Sequence, residues 1–242
     1  MTVTSPHNEN LKLVRRLRDR KHRDREGLFV AEGEDLLEAG RAAGDEPELL
    51  LSAAGSGLGG IEVAPEALAS ASELGSGTRV ISVWRQRWTQ PAGPVCVYLH
   101  GVSDPGNVGA VIRSAHALAE GSVALGGGTA DPYSPKAVRA SMGSIFAHPV
   151  ARVEVDDTPA PRVALVAHGG EAPGAIEPPI TLCLGAEREG LPEEVAAACE
   201  LRWTIPLREG GAESLNVAAA AAIALGRISS ARPDGSEVAG AS

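Results

Sequence analysis

Three short stretches of this sequence carry polar residues of the types that take part in group-transfer chemistry. The first holds Asn107 and Arg113, the second holds Glu187 between two glycines, and the third holds Ser214 and Asn216 ahead of an alanine-rich run. Asparagine amides can orient a bound molecule, a carboxylate can fix a neighbouring cation or loop, and a guanidinium can stabilise developing negative charge. The three stretches are therefore the places where this sequence could form a functional site.

Each stretch also has an ordinary structural explanation. Arg113 lies in an amphipathic helical pattern, where an arginine is usually a solvated side chain. Ser214 is a preferred N-cap for a helix over 215–225, and Asn107 can cap the helix that follows it. The stretch LCLGAEREGL suits a tight glycine loop whose backbone meets a ligand. It is not the dinucleotide fingerprint GxGxxG, which counts against a nucleotide-dependent oxidoreductase.

Strands and helices alternate regularly from Val95 to about Arg227. Strands are predicted at 95–99, 123–125, 163–167 and 180–184, and helices at about 107–119, 135–146, 191–199 and 215–225. Continuous apolar strands between helices predict an α/β fold with a mostly parallel sheet covered on both faces. Ligands of such sheets bind beyond the carboxyl ends of the strands, where all three polar stretches lie.

Residues 1–84 show a smaller alternation of the same kind, which predicts a separate α/β domain. Its strands are predicted at 28–30, 49–51 and 79–83, and its helices at 34–43 and 65–74, behind a basic helix at the start. Residues 85–94 have the composition of a linker, and Trp84 and Trp88 are expected at the domain interface. The small and polar residues 229–242 predict a disordered tail behind the second domain, 95–228.

The basic residues are unevenly spread along a chain whose formal net charge is −9. Eight lysines and arginines stand against two aspartates between Leu11 and Arg25, so this segment carries a charge of +6. A basic patch on an otherwise acidic chain is typical of a nucleic-acid partner, because the acidity elsewhere repels phosphate. The apolar Leu13, Val14 and Leu17 also fit a solvated amphipathic helix, and both interpretations can hold together. The predicted RNA contacts are Lys12, Arg15, Arg16, Arg18, Arg20, Lys21 and Arg23.

Composition argues against several other classes of protein. The sequence opens without the apolar core of a signal peptide, and its longest apolar run, 217–225, falls far short of the ~20 residues of a membrane span. Three widely spaced cysteines, and six histidines without an HExxH or HxxxH pattern, indicate neither disulfides nor a metal site. We therefore expect a cytoplasmic enzyme with no metal and no membrane partner.

The stretches DPGNVGAVIRSA, LGAEREGL and IPL…ESLNVAAAAA, in this order, resemble the three signature motifs of the SPOUT superfamily of RNA methyltransferases. The match is to its SpoU/TrmH branch, which methylates the ribose 2′-hydroxyl. The stretch SPKAVRASMGSIF, residues 134–146, also looks like that branch. Residues 4–37 resemble the small RNA-binding α/β domain that many members carry. The resemblance covers nearly the whole chain except the linker and the tail.

This resemblance implies a parallel sheet with a deep trefoil knot at its C-terminal end, loops that hold S-adenosylmethionine, and a homodimer with its active site at the interface. Chain-topology rules alone predict that no knot is present. The implied catalytic residues are Asn107, Arg113, Glu187, Ser214 and Asn216. The implied cofactor-binding residues are Leu184, Gly185, Glu187, Gly190, Ile205, Leu207, Leu215 and Asn216. The loop between Ile205 and Leu215 is slightly longer than the common pattern, so contacts from 208–213 do not carry over.

The resemblance thus predicts an S-adenosylmethionine-dependent methyltransferase that acts on a ribose 2′-hydroxyl of ribosomal or transfer RNA. Arg113 would act either as a general base or, because a guanidinium stays protonated, as a group that holds a phosphate and stabilises the developing alkoxide. Asn107 and Asn216 would orient substrate and cofactor, and Glu187 would fix the arginine or its loop. A catalytically silent RNA-binding or ribosome-assembly factor of the same fold is the alternative, and the joint presence of these four residues argues against it.

Overall fold

The computed structural model describes residues 2–75, 77–174 and 176–230. The described chain forms two sheets with helices packed on them. The strands are β1 (Leu28–Glu32), β2 (Leu49–Ala53), β3 (Ile61–Val63), β4 (Val80–Arg85), β5 (Val95–Leu99), β6 (Gly121–Leu125), β7 (Val150–Arg152), β8 (Arg162–Leu165), β9 (Ile180–Leu184) and β10 (Leu201–Trp203). The helices are α1 (Glu9–Arg16), α2 (Arg20–Glu26), α3 (Glu34–Ala42), α4 (Pro65–Ala71), α5 (Pro105–Leu118), α6 (Pro135–Ser141), α7 (Ser144–Ala147), α8 (Glu193–Ala197) and α9 (Val217–Ser230).

The first sheet has four strands in the order β1-β4-β2-β3. Strand β4 runs antiparallel to both β1 and β2, whereas β2 and β3 are parallel. Strand β3 was not predicted, because it is only three residues long and its first two are exposed. Arg85, which the sequence analysis assigned to the linker, is the last residue of β4.

The basic segment folds into two short helices and not the single predicted one. Asp19 separates the two helices, because its side chain accepts a hydrogen bond from the Lys21 N–H and so caps the start of α2. Gly27 then ends α2 in the left-handed conformation, with φ of 65°. The apolar stripe that packs under these helices is Leu11, Val14 and Leu17, all buried, while Leu13 is only half-buried.

The second sheet has six strands, all parallel, in the order β10-β8-β9-β5-β6-β7. Successive residues of β5 face opposite sides, as the pleat of a strand requires. Val95, Val97 and Leu99 join the core under α5 and α9, whereas Cys96 and Tyr98 join the core beneath α8. The predicted α/β fold with a parallel sheet buried on both faces is therefore confirmed.

Several helix boundaries differ from the sequence prediction. The predicted helix over 135–146 breaks at Met142 and Gly143, whose φ angles are 49° and 87°. A side chain at Gly143 would collide with Ala39, so the break lets α3 approach closely. Helix α9 begins at Val217 and continues to Ser230, so residues 229 and 230 are helical and not part of a tail. The remainder of the predicted tail, 231–242, lies outside the described residues.

The two sheets are joined through a buried contact between α2 and the turn before α6. Arg23 and Asp131 are each 3% exposed, and the guanidinium donates from Nε to Asp131 Oδ2 at 2.9 Å. The same guanidinium donates through Nη1 to the carbonyls of Leu17 and Arg18, and Asp131 also accepts from the Tyr133 N–H. The prediction that Arg23 contacts RNA is therefore wrong, because its donors are used inside the protein.

Aromatic rings complete this junction around Phe146 and Tyr133. Trp84 packs edge-on against Phe146 with ring centroids 4.8 Å apart, and Trp88 packs edge-on against Tyr133 at 5.1 Å. Phe29 of β1 packs against Tyr133 and Phe146, with ring centroids 4.8 and 5.6 Å away. One apolar core therefore spans both sheets. No helix in the described ranges is long and apolar enough to cross a membrane.

We predict that Arg23→Met lowers the free energy of unfolding by about 3–5 kcal/mol, because it leaves the Asp131 carboxylate buried without its partner. Urea unfolding followed by circular dichroism measures this loss. Arg25→Met is the matched control, since Arg25 lies on the same helix with a side chain that is 60% exposed. The double variant Arg23→Met/Asp131→Leu should recover much of the stability. An Arg23→Met protein as stable as the control would contradict the role assigned to the pair.

We also predict an acid-sensitive step in stability that depends on His148. Burial, and secondly the neighbouring His116, lower the pKa of His148 from 6.5 to about 4. The unfolded chain therefore binds this proton at a higher pH than the folded chain does. The free energy of unfolding is therefore unaffected by His148 above pH 6.5. It falls by about 3 kcal/mol as the pH is lowered towards 4, because protonation of His148 then favours the unfolded chain. His148→Gln should flatten this part of the stability curve, whereas the exposed-residue variant His7→Gln should not; equal slopes in both would exclude His148.

Candidate active site

A cleft of about 450 Å³ opens at the carboxyl ends of β8, β9 and β10. Its walls come from the segments that follow these three strands: 165–168 after β8, 184–191 after β9, and residues between 205 and 220 after β10. Seven of the eight predicted cofactor residues line it: Leu184, Gly185, Glu187, Gly190, Ile205, Leu207 and Leu215. The eighth, Asn216, directly follows Leu215. The cleft thus lies where open parallel sheets bind their ligands.

The loop after β9 is closed into a narrow hairpin by its own backbone. The Ala186 N–H donates to Gly190 O at 3.1 Å, and the Gly190 N–H donates back to Ala186 O at 2.9 Å. Gly185 is required at its base, because a Cβ there would collide with the backbone of Gly190 and Leu191. Gly190 adopts a φ of 71°, which glycine tolerates at no steric cost. These two glycines therefore shape one wall of the cleft.

Backbone groups supply the polar character of the remaining wall. Within the described residues, the N–H groups of Ile205, Leu207 and Leu215 donate to no other part of the chain. Their side chains and that of Leu184 supply apolar contacts. A cleft that offers apolar contacts together with a few unpaired backbone donors is suited to a flat, nitrogen-rich ring system. The carboxylates of Glu187 and Glu213, which also line it, can accept from hydroxyl or amino groups.

Beside this cleft, a chain of hydrogen bonds joins three polar residues that are far apart in sequence. The Asn107 amide donates from Nδ2 to Glu187 Oε1 at 2.6 Å, and its Oδ1 accepts from Asn216 Nδ2 at 3.0 Å. Asn216 Oδ1 in turn accepts from the Ala218 N–H at 2.9 Å, so Asn216 caps α9. The structure thus brings these three predicted catalytic residues together. Glu187 orients an asparagine here, whereas the sequence analysis expected it to fix an arginine or its loop.

Two predicted helix caps are wrong. Ser214 does not cap α9, because Asn216 takes that position; Ser214 is exposed and lines the cleft. Asn107 does not cap α5, because it lies inside the helix, and Asp104 accepts from the Gly106 N–H as the N-cap. The Lys136 ammonium, together with the Gly106 N–H, lowers the pKa of the Asp104 carboxyl. The Asp-Pro dipeptide is a helix-start signal that identifies this cap from the sequence.

Arg113 lies apart from the other predicted catalytic residues. Its side chain is exposed on α5, and among the described residues it forms no hydrogen bond or ion pair. It follows Asn107 by six residues, a rise of about 9 Å along a helix. It does not line the cleft of its own chain. His168, by contrast, lines the cleft without having been predicted; its place directly after a strand was the available signal.

Most of the predicted RNA-contacting residues are exposed. These are Lys12, Arg16, Arg18, Arg20 and Lys21. Arg15 is half-buried and donates to the Pro6 carbonyl, and Arg18 donates to the Ala71 carbonyl at 2.8 Å. In the parts of the chain that are described, no group of three or more His, Cys, Asp and Glu side chains could hold a metal ion.

Sequence profiles identify both parts of the chain. The profile of the SpoU rRNA methylase family matches residues 94–226. The chain belongs to the SpoU rRNA methylase family. The profile of the MRM3-like substrate binding domain matches residues 8–88. The resemblance on which the sequence analysis relied is therefore confirmed.

Individual relatives and solved structures agree with this membership. The chain is 32% identical over 239 residues to the 23S rRNA (guanosine(2553)-2'-O)-methyltransferase RlmP of Bacillus subtilis, covering 91% of this chain and 96% of the relative. It is similar to the AdoMet-bound rRNA methyltransferase of Sinorhizobium meliloti, with a TM-score of 0.77, 30% identity, and coverage of 93% and 95% of the two chains. The SpoU methyltransferase AviRb of Streptomyces viridochromogenes, in complex with AdoMet, gives a TM-score of 0.80 at 27% identity, covering 90% of this chain and 96% of that one.

The predicted class of enzyme, an RNA methyltransferase that uses S-adenosylmethionine, is confirmed by these findings. The cleft fits the cofactor on chemical grounds. An adenine ring needs apolar contacts and backbone donors and acceptors, which Leu184, Ile205 and Leu215 provide. Ribose hydroxyls need hydrogen-bond acceptors, and the Glu187 and Glu213 carboxylates line the cleft and can accept from them.

We predict that Gly185→Ala weakens S-adenosylmethionine binding at least about tenfold, because the added methyl group forces open the hairpin between Ala186 and Gly190. Isothermal titration calorimetry measures the affinity, and circular dichroism checks that the variant is folded. Gly174→Ala is the control, since a Cβ there meets only Ala172 O, at an ordinary 3.9 Å. A folded Gly185→Ala protein with the affinity of the control would show that the hairpin does not form the binding wall.

Proposed function

We propose that this protein transfers a methyl group to a ribose 2′-hydroxyl of ribosomal RNA, with the Glu187–Asn107–Asn216 chain as its polar catalytic centre. The observation that carries the proposal is this chain of hydrogen bonds, which lies at the mouth of a cleft suited to S-adenosylmethionine. The RlmP relative is named as a 23S rRNA ribose methyltransferase and matches along nearly its whole length. A silent binding factor would have no need for three convergent polar side chains at this position.

The residues of the centre divide the work between them. S-adenosylmethionine, when bound, supplies an electrophilic methyl group, so the protein has only to orient the ribose and manage its proton. Glu187 and Asn216 hold the Asn107 amide from both sides, which fixes the amide without a separate ordering cost on substrate binding. Asn216 also ties this amide to the start of α9. A shift of α5, of the start of α9 or of the loop after β9 therefore moves the whole centre.

Arg113 supplies the positive charge that the centre lacks. A ribose hydroxyl is a weak acid, and its oxygen gains negative charge as it attacks the methyl carbon. A guanidinium remains protonated under these conditions, so Arg113 acts by holding the adjacent phosphate and stabilising that charge. The exposed site lets solvent water take the departing proton. Because Arg113 has no protein partner among the described residues, all of its donors remain available to RNA.

The enzyme works as a homodimer in which each Arg113 serves the cleft of the other subunit. The support is that Arg113 does not line the cleft of its own chain. Helix α9 packs against α5 and leaves Ala219 and Ile223 exposed, the latter by 42%. A two-fold interface on this face would bring Arg113 of one chain towards Asn107 and Asn216 of the other.

Two further features belong to the proposal. The three loops that line the cleft form the deep trefoil knot of the superfamily, a feature supported by membership of the SpoU family. Residues 2–85 form the RNA-binding domain, with the exposed Lys12, Arg16 and Lys21 among its phosphate contacts, while residues 95–230 form the catalytic domain and 86–94 the linker. The matched substrate-binding profile over residues 8–88 supports this division.

We predict that Arg113→Ala lowers methyl transfer to unmodified 23S rRNA at least about 100-fold, because it removes the charge that stabilises the attacking oxygen. Its affinity for S-adenosylmethionine should stay within about threefold of wild type, because Arg113 does not line the cleft. Transfer of tritiated methyl groups and calorimetry measure the two quantities. Full activity of Arg113→Ala homodimers would exclude the residue from the reaction.

Mixing two inactive variants tests the shared site. Arg113→Ala and Asn216→Ala chains, unfolded together and refolded as mixed dimers, contain one intact site in each heterodimer if Arg113 acts across the interface. Random pairing then restores about a quarter of the wild-type activity. If Arg113 acted within its own chain, every site would carry one defect and no activity would return.

A further inference from the structure

A second groove, of about 770 Å³, lies at the carboxyl ends of β5, β6 and β7, where the two sheets meet. Its residues come from both units: Arg20 from α2, Trp88 and Gln90 from the segment between the sheets, and Arg152 from β7. The glycine loop 126–128 after β6 also lines it. The groove shares none of its lining residues with the cofactor cleft. It is large enough to take one nucleotide.

Two guanidinium groups in this groove have unused donors. Arg20 Nε is 3.6 Å from Asp24 Oδ2, and Arg152 Nη2 is 3.7 Å from Asp24 Oδ1. Both distances are too long for a hydrogen bond, and within the described ranges neither arginine donates a hydrogen bond to another residue. The two side chains are 51% and 46% exposed. Asp24 therefore holds two cations near each other without satisfying either, an arrangement that suits a phosphodiester.

Arg152 also presents a stacking surface. Its guanidinium carbon lies 4.2 Å from the centre of the Trp88 ring, and Trp88 is held in turn by Tyr133 and by a hydrogen bond to Gln86. A guanidinium plane packed on an aromatic ring has a second face, and an unpaired base stacks on such planes. Bases within an A-form helix are already stacked and are closed to this contact. The groove therefore fits single-stranded RNA and not duplex RNA.

Acidic residues limit where a phosphate can bind. Glu154 and Asp157 line the same groove and repel phosphates, and so does Asp24, so a phosphate can bind only through the donors of Arg20 and Arg152 that Asp24 leaves unused. The carboxylates can accept hydrogen bonds from base amino groups. Asp131 also lines the groove, but its charge is paired with Arg23.

The groove is separated from the cofactor cleft by one loop. A Cβ on Gly128 would lie 3.4 Å from Gly101, and one on Gly101 would lie 3.5 Å from Ala186. Gly128 lines the groove and Ala186 lines the cleft, so the loops after β6, β5 and β9 are in contact in this order. A strand of RNA that occupies the groove is therefore held next to the catalytic loops.

We propose that this groove binds an unpaired nucleotide of the RNA substrate, with its phosphate on Arg20 and Arg152 and its base stacked on the Arg152–Trp88 pair. This inference rests on the proposed function for its RNA substrate, and it names a site that lies outside the cofactor cleft and takes only Arg20 from the basic helices. The anchored nucleotide is a neighbour of the methylated one, because the groove lies one loop away from the cleft.

Binding of a fluorescein-labelled 12-nucleotide single-stranded RNA, measured by anisotropy at several salt concentrations, tests the proposal. Arg20→Gln and Arg152→Gln should each weaken binding about tenfold and lower the slope of log K against log salt by about 1. Arg41→Gln is the matched control: its side chain is 44% exposed and 3.5 Å from Glu46, and it does not line the groove. Variants indistinguishable from this control would overturn the proposal.

Three further measurements sharpen the result. Arg152→Lys keeps the charge but loses the stacking plane, so it should bind nearly as weakly as Arg152→Gln; wild-type affinity would overturn the stacking contact. A 12-base-pair RNA duplex should be insensitive to Arg152→Gln, and an equal loss for the duplex would overturn the preference for single strands. Crosslinks from 4-thiouridine RNA to wild-type protein should map to 86–90 or 126–132, and crosslinks confined to α1 would place the RNA elsewhere.

These outcomes are distinguishable from failure of the proposed function. If wild-type protein binds the oligonucleotide in the groove but does not methylate 23S rRNA, the proposed target is wrong and the proposed RNA-binding groove still holds. If wild-type protein methylates 23S rRNA and the groove variants keep full affinity and full activity, the proposed RNA-binding groove is wrong and the proposed target still holds. Calorimetry with S-adenosylmethionine, unchanged in Arg20→Gln and Arg152→Gln, confirms that the cofactor cleft is intact in both variants.

Discussion

A buried charge pair between Arg23 and Asp131 fixes the relation between the two sheets. Burying a guanidinium and a carboxylate is costly unless both are fully hydrogen-bonded, and here two carbonyls and a backbone N–H complete the pair. Such a network tolerates only one geometry, whereas the apolar contacts around Phe29 and Trp84 would tolerate several. The basic helices are therefore held at a defined position relative to the catalytic sheet. Both the groove and the approach of RNA to the cleft depend on that position.

The catalytic centre has the opposite character. Asn107, Glu187 and Asn216 are at most half-buried, and the segments that carry them pack through glycine and small residues. A hydrogen bond in such a place adds little to the net stability of the fold, so these bonds orient the three side chains and do not hold the fold together. The rigid part of the site lies beneath it, where β5 and β9 are wholly buried. The sheet thus sets the position of the loops, and the polar residues set their final orientation.

The sequence predicted the sheet and most of the site because both depend on local patterns. Continuous apolar strands mark a sheet covered on both faces, and the three polar stretches fall at strand ends whatever their tertiary contacts. The short strands β3 and β7 have too few residues to produce a pattern. The helix breaks at Met142 and Gly143 because Ala39 packs closely there, and Ala39 lies about a hundred residues earlier in the chain. Arg23 was assigned to RNA because a charge run does not reveal which of its members turns inward to a distant carboxylate.

The uneven charge of the chain gains a physical explanation from this arrangement. The acidic remainder repels phosphate, so RNA is attracted where cations keep unused hydrogen-bond donors. Among the described residues Arg113 has no partner, whereas Arg20 and Arg152 share one aspartate between them. A phosphate that enters the groove completes the coordination of two cations that Asp24 leaves unsatisfied, and it displaces no strong bond in doing so. The basic helices thus supply attraction over a distance, while the groove supplies a contact with defined geometry. If Arg113 acts in the partner's cleft, both chains contact the target ribose, and an RNA strand in the groove of one chain lies one loop away from the cleft of that chain.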